Sequence, residues 1–490
     1  MAVKGETEKD RLSSLPNDIL IGIISRLPFR LAVVTGCLSR RWRCLWTNTI
    51  TININNSRSE YTSEFSTNFH NIISQITSPV IHSFIIESYY LFRNEFFKPY
   101  MDSLFQQLCN RNIHELKLTG FRNSYCTTIT LPSLIFQTSS LVSVELDSSF
   151  HWKLPYETDS INLPKLKNLT IEFQALQCEC IEKLVKACPS LEELSVTCKF
   201  ICRYGYYYRC SNQNLRRLIM NFDSDSRRVD ICINTRKLEY FAFYSPDSWS
   251  LRFEEEPIGL REAKIEISGR NYRLLKEENR SFIKYGGAIT NVEVLSMDVF
   301  TLYNTSTVFY NVIQLTLNMD LSHNIQILLL SMELCPTLDT LTLKFCGIDR
   351  DDTQQFTLPN SDHASALLRG LKRIEVDIGW YSYNFSTPSK TFLELVEYLL
   401  RNAVNLEYFC IKVPDDWYCA KGNVERIQRM ELNFCKLLYQ CPMVSMRCEV
   451  EYVGKFFKMS RKGGPKVRGT NGEVISFNCS PWNGFTFEEE

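Results

Sequence analysis

One six-residue phrase, apolar–x–x–apolar–x–apolar, recurs through residues 81–413 and restricts the fold more than anything else in the chain. It reads Ile81/Phe84/Ile86 in its first copy and Leu406/Phe409/Ile411 in its last. Copies begin at Ile81, Ile113, Leu141, Leu166, Leu191, Leu215, Leu238, Leu260, Val292, Val312, Leu338, Leu371 and Leu406. Neighbouring copies lie roughly 20 to 35 residues apart, at or somewhat above the period of a leucine-rich repeat. The last two apolar positions alternate with one other residue, so they make a strand with one buried face, and the first apolar position packs the turn entering it. Each unit exposes an apolar edge that only the next unit covers. The copies therefore stack into a curved solenoid with a parallel sheet, of α/β class.

Two copies share a further phrase, Cys188-Pro189 and Cys335-Pro336, three residues before the anchor leucine. Proline stops the preceding helical segment, and a small buried thiol fits where the chain turns into the strand. Helical returns are expected at Cys180–Ala187, Ile325–Leu334 and Phe392–Arg401; other connections are too short or too polar, so the solenoid is irregular. The 19 cysteines are scattered. The densest group, Cys178 to Cys210, has no paired C-x-x-C spacing, which argues for thiols and against zinc.

Residues 11–46 break the pattern. Pro16 suits the first turn of a helix and Asp18 its positive end. Ile19, Leu20, Ile23, Ile24 and Leu27 make a helical apolar stripe that Pro28 ends. A short helical turn through Val33 and Val34 follows, and Leu38, Trp42, Leu45 and Trp46 predict a third helix. Three such helices cannot enclose a core alone, so their apolar surface is buried against the solenoid, as a cap, or against another protein. The pattern leaves both open.

The order Leu15-Pro16, Ile19 to Ile24, Ser25-Arg26-Leu27-Pro28 and Leu38-Ser39-Arg40-Arg41-Trp42-Arg43-Cys44-Leu45-Trp46 resembles an F-box, with Phe29-Arg30-Leu31 replacing the usual polar turn. Leu371-Lys372-Arg373-Ile374, Leu399 to Ala403 and Leu406-Glu407 resemble the FBD domain, found mainly in plant proteins after F-box and leucine-rich segments. The resemblance implies an F-box over residues 11–50, a leucine-rich solenoid over 51–365 and an FBD-like continuation over 366–455. Residues 1–10 are a polar tail; residues 456–490 are a basic then acidic tail, expected to be disordered. The implied role is that of a non-catalytic substrate-recognition subunit of a ubiquitin ligase. Its Skp adaptor, and through it a cullin, is bound by residues drawn from Leu15, Pro16, Ile19, Leu20, Ile23, Leu27, Pro28, Val33, Val34, Leu38, Trp42 and Trp46. These divide between adaptor contact and packing inside the module. A scaffold or ligand-sensing solenoid is the alternative.

The substrate surface is expected where side chains beside the buried strand positions face the concave side. That column holds eleven acids, Glu87, Glu115, Glu145, Asp147, Glu172, Glu193, Glu262, Glu266, Asp298, Glu375 and Asp377. It holds six bases, Lys117, Arg217, Lys264, Lys344, Arg373 and Lys412. The excess suits a basic segment of a target, centred on Glu145, Asp147, Glu172 and Glu193. A second candidate is the aromatic insertion at residues 203–209, including Tyr206, with Tyr240 and Tyr244 on the next strands.

Other classes find no support. The sequence has no nucleophile elbow, zincin motif, P-loop or dinucleotide fingerprint, so no catalytic residue, cofactor or metal is expected. Lys+Arg and Asp+Glu both number 55, so charge gives no argument for nucleic acid or an anionic membrane. Apolar runs such as Ile325 to Leu330 are too short to span a bilayer, and Met1–Asp10 lacks the apolar core of a signal peptide. The expectation is an intracellular protein, cytoplasmic, nuclear or both.

Overall fold

A computed structural model describes residues 12, 14–56, 71, 73–88, 98–119, 129–130, 132–147, 150–151, 161–176, 180–201, 206–222, 229–245, 250–267, 286–303, 305, 307–320, 325–347, 366–378, 390–413 and 424–477. The chain divides into two compact units, Met1–Leu238 and Glu239–Glu490.

The first unit opens with helices α1 (Asn17–Ile24) and α2 (Phe29–Val34), each entered through a proline, Pro16 or Pro28. Two 3₁₀ segments follow, Thr35–Cys37 and Trp42–Asn48, in place of the single third helix expected from the spacing. The three-residue period eclipses positions i and i+3, which sets Trp42 over Leu45 and buries both with Trp46, while Leu38 falls outside the segment. Arg41 ties the end of the module to its beginning, donating to Asn17 Oδ1 at 2.8 Å and to the Leu15 carbonyl.

Seven strands then pair in parallel: β1 (Thr51–Asn56), β2 (Ser83–Ser88), β3 (Glu115–Thr119), β4 (Ser143–Leu146), β5 (Asn168–Leu176), β6 (Glu193–Ile201) and β7 (Arg217–Phe222). Their register stacks the repeat phrase on itself. Phe84, Leu116, Val144, Leu169, Leu194 and Leu218 form one buried row, with Ile52 at its head. Ile54, Ile86, Leu118, Leu146, Ile171, Val196 and Met220 form the second. A slip of one residue would turn both rows to the solvent face, so burial itself specifies the register. Helices α3 (Lys98–Asn110) and α4 (Cys180–Ala187) are returns between strands; the first was absent from the sequence reading.

The second unit repeats this arrangement. Strands β8 (Tyr240–Ser245), β9 (Glu262–Ile267), β10 (Val294–Asp298), β11 (Gln314–Asp320), β12 (Thr340–Gly347), β13 (Arg373–Ile378), β14 (Tyr408–Lys412) and β15 (Glu449–Val453) are parallel. The returns include α5 (Val299–Tyr303), α6 (Ile325–Glu333), α7 (Lys390–Asn402) and α8 (Val424–Gln440). The region resembling an FBD domain thus continues the ladder through β13, β14 and β15.

Residues beyond 455 are not the expected tail. Strands β16 (Phe457–Ser460), β17 (Lys466–Gly469) and β18 (Val474–Ser476) form an antiparallel meander on β15. Phe457, Met459 and Val467 are buried beneath it, an alternation that the dense lysines and glycines obscure in the sequence. Residues 1–10 and 478–490, the other parts read as tails, lie outside the described residues.

Successive repeats are also tied by side chains. The residue before the anchor leucine donates to the carbonyl two residues before the previous anchor: Ser190 to Pro164 at 2.6 Å and Asn214 to Pro189 at 3.0 Å in the first unit. In the second, Thr337 donates to Tyr310 at 2.8 Å and Asn405 to Arg369 at 2.9 Å. Four short polar residues thus satisfy carbonyls at the turns. Cys188 and Cys335 sit buried at the same turns, and burial pushes both thiols up to about 12, as packing groups require.

Candidate functional site

The helical module has two faces of different character. Leu20, Ile24, Phe29, Ala32, Trp42, Leu45 and Trp46 are buried. The buried side is joined to the first repeats: α2 lies against β1, and the Thr47 carbonyl accepts from the Thr77 amide at 2.7 Å. Ser25 Oγ accepts from Thr49 Oγ1 at 3.0 Å and from the Ile50 amide at 3.3 Å. The cap that a repeat array needs is therefore present.

The opposite face is left apolar and open. Ile19, Ile23, Leu31, Val34 and Leu38 are between 40% and 67% exposed. Pro16 and Pro28 are also exposed, and Leu15, Leu27 and Val33 are half-buried. Of the twelve sequence-predicted adaptor residues, Leu20, Trp42 and Trp46 belong to the interior and Ile19, Ile23, Val34 and Leu38 to the open face. Leu31 joins the open face, because Phe29-Arg30-Leu31 forms the first turn of α2.

The outward rows of both units carry acids and bases. Among the described side chains of the first unit, Glu87, Glu115, Glu145, Asp147, Glu172 and Glu193 share the outward row with Lys117 and Arg217. Lys117 sits between two carboxylates, Glu87 at 2.7 Å and Glu145 at 3.2 Å, and the hydrogen bond it donates to Glu87 raises its pKa despite partial burial. Ser83 donates to Glu115 Oε2 at 2.6 Å.

In the second unit some of the acids are held in ion pairs. Lys264 pairs with Glu262 at 3.0 Å, and Arg373 and Lys412 converge on Glu375 at 2.6 and 2.5 Å. Burial pushes the Glu375 carboxyl up, but hydrogen bonds from Lys412 and Arg373 outweigh it and hold the group below the ordinary range. The Arg373 guanidinium lies 4.0 Å from the Tyr408 ring centre, and the Tyr408 hydroxyl donates to Glu451 Oε2 at 2.6 Å. Acids thus outnumber bases along the outward rows of both units, Glu449 and Glu451 of β15 adding to those of the second.

The predicted tyrosines fall on two strands. Tyr206 starts a strand, Tyr206–Ser211, that pairs with Val229–Asn234 in a separate sheet beside α4, and Tyr208 within it is 1% exposed. Residues 203–205 of the expected aromatic insertion lie outside the described residues. Tyr240 and Tyr244 do lie on the outward row of β8, where Lys264 rests 5.5 Å from the Tyr240 ring centre. Burial, then the nearby Glu266, pushes the Tyr244 phenol up to about 12. Among the described residues no group of three or more His, Cys, Asp or Glu could hold a metal ion, and no helix is long and apolar enough to cross a membrane.

Residues 12–51 match the F-box domain, and residues 101–250 match the leucine-rich repeats of the FBD-associated F-box protein At5g56370. The chain carries an F-box followed by leucine-rich repeats. The putative F-box/LRR-repeat protein At3g28410 of Arabidopsis thaliana is 28% identical over 38% of this chain and 37% of its own length. The putative F-box/FBD/LRR-repeat protein At5g22670 is 23% identical over 90% of this chain and 98% of its own length. The FBD-associated F-box protein At4g10400 is 26% identical over 82% and 92%. The chain thus spans well under half the length of At3g28410, and nearly all of the other two. The F-box match covers the helical module and the head of β1, so the open apolar face lies wholly within the F-box.

Proposed function

We propose that this chain is the substrate-recognition subunit of a Skp–cullin–F-box ubiquitin ligase, working inside the cell. Its F-box docks the Skp adaptor, and its repeat sheet holds a target for ubiquitination by the enzymes the cullin carries. The chain itself supplies proximity rather than chemistry. The observation that supports this reading is the division of the F-box into a sealed face and an open one. Five large apolar side chains kept in water on a 40-residue segment mark an interaction surface.

The test separates docking from folding. Ile19→Asp with Leu38→Asp places charges where the chain buries nothing, so the melting temperature should hold. Affinity for the Skp adaptor should fall at least about a hundredfold in a titration, the consequence of losing two interface anchors. Retained affinity in a folded double variant favours the scaffold alternative.

The target surface we assign is the outward face of the first unit, where six acids stand with two bases among the described side chains. Its chemistry suits a basic, extended segment of the target. The probe is a fluorescent dodecapeptide of alternating lysine and serine. The triple variant Glu145→Lys, Glu172→Lys and Glu193→Lys should weaken its binding roughly tenfold or more at low salt. Equal affinity for the two proteins would remove this face from consideration.

A further inference from the structure

The antiparallel meander that ends the second unit carries a charge pattern that folding alone does not favour. Residues 454–476 contain six bases, Lys455, Lys458, Arg461, Lys462, Lys466 and Arg468, and one acid, Glu473, in the turn before β18. Three of the six have structural employment. Lys462 pairs with Glu449 at 2.6 Å, Arg461 donates to the Cys441 carbonyl at 2.9 Å, and Lys455 lies 5.7 Å from the Phe456 ring centre. The other three share one exposed face. Lys458 on β16 is directly opposite Arg468 on β17, and Lys466 stands two residues before Arg468 on the same strand.

Like charges directly opposite each other across an antiparallel pair are destabilising. The buried alternation Phe457, Met459 and Val467 fixes which side chains point outward, so the repulsion cannot be relieved by changing register. Lysines are common on sheet edges, where they block pairing with other chains. That explanation fails here, because β16 is paired with β15 and β17, and β17 with β16 and β18. The strand at the end of the pairing order, β18, bears no lysine or arginine.

We infer that this face is a second docking surface, one that takes an extended acidic segment of a partner protein. Charge complementarity names the occupant. Lys466 and Arg468 are spaced as alternate residues of a strand, about 6.5 to 7 Å apart, which matches carboxylates two residues apart on an extended chain. Arg468 offers a planar fork for a bidentate carboxylate. Val474, registered with Arg468 and 53% exposed, gives an apolar contact beside the charges. The outward positions of the three strands hold no aromatic side chain on which a base would stack, so a nucleic acid fits less well. The inference does not depend on the F-box reading.

The probe is a fluorescein-labelled peptide of four Glu-Val repeats, with a Gln-Val peptide as control, titrated against the full chain at low salt. The chain should bind the Glu-Val peptide and not the control. Lys458→Glu should lower that affinity about tenfold or more, while the melting temperature rises, because an opposite-charge pair replaces a like-charge one. Opposite signs for binding and stability distinguish docking from a structural role, which would move both down. The neutral pair Lys466→Gln with Arg468→Gln serves as a second variant, with the same loss of binding expected. The inference is overturned by indifference between the two peptides, by unchanged affinity in both variants, or by tighter binding of a 20-nucleotide single strand than of the peptide.

Discussion

Glu431→Ala should destabilise the end of the second unit by about 2–4 kcal/mol, the consequence of leaving several backbone amides without an acceptor. Glu431 projects from α8, is 5% exposed, and spreads its carboxylate over the turn between β15 and β16. Its Oε1 accepts from the Lys455 amide at 3.1 Å, and its Oε2 from the Phe456 and Phe457 amides at 3.0 and 3.1 Å. Three backbone donors thus find one side chain, and alanine would leave them unsatisfied at once. Glutamine keeps the shape but loses the charge and turns one acceptor into a donor, so about 1–3 kcal/mol is expected there. The neighbouring glycine shows how closely the carboxylate fits. A Cβ on Gly454 would stand 2.8 Å from Glu431 Oε1 and 2.6 Å from the ring of Tyr452, itself buried. Denaturant unfolding measures the loss, and hydrogen exchange at residues 455–457 places it; protected amides in the alanine variant would refute the clamp.

That clamp was invisible in the sequence, and the reason is general to this chain. The repeat was legible because two buried positions per strand recur with the same spacing, and burial of Phe84, Leu116 and their successors depends only on that local pattern. The two Cys-Pro turns were legible for the same reason. Contacts between residues distant in sequence left no such trace. Glu431 reads as one more polar residue on a helix, and Ser190, Asn214, Thr337 and Asn405 as ordinary turn residues, until the stacking brings each to a carbonyl. The meander was misread because composition was weighed above alternation: the six bases of residues 454–476 masked Phe457, Met459 and Val467. The acids of the second unit were counted without their partners, and Arg373 and Lys412 neutralise Glu375. In the F-box, a helical stripe shows that a face is apolar but not what covers it. Leu20 and Ile19 are adjacent in sequence, yet one is buried in the module and the other is open.

Trp46→Ala carries the other large expected effect, and it separates those two faces. Trp46 is 7% exposed, meets Phe29 edge to face with ring centres 6.3 Å apart, and lies beside Trp42 and Leu45 in the module core. Truncating a buried tryptophan costs about 3–5 kcal/mol through lost burial and the cavity left behind. The loss should spread along the chain. Thr47, the next residue, holds the Thr77 amide, and the Ser25 to Thr49 bond fastens α1 to the entry of β1. Loosening this core should therefore unseal the head of the sheet and also scatter Ile19, Ile23, Val34 and Leu38. Stability and adaptor affinity should fall together in Trp46→Ala, whereas Ile19→Asp with Leu38→Asp should lose affinity alone. Thermal unfolding and adaptor titration on the same preparations decide the matter. A tryptophan variant that melts normally and still binds would mean that the open face is held by something other than this core.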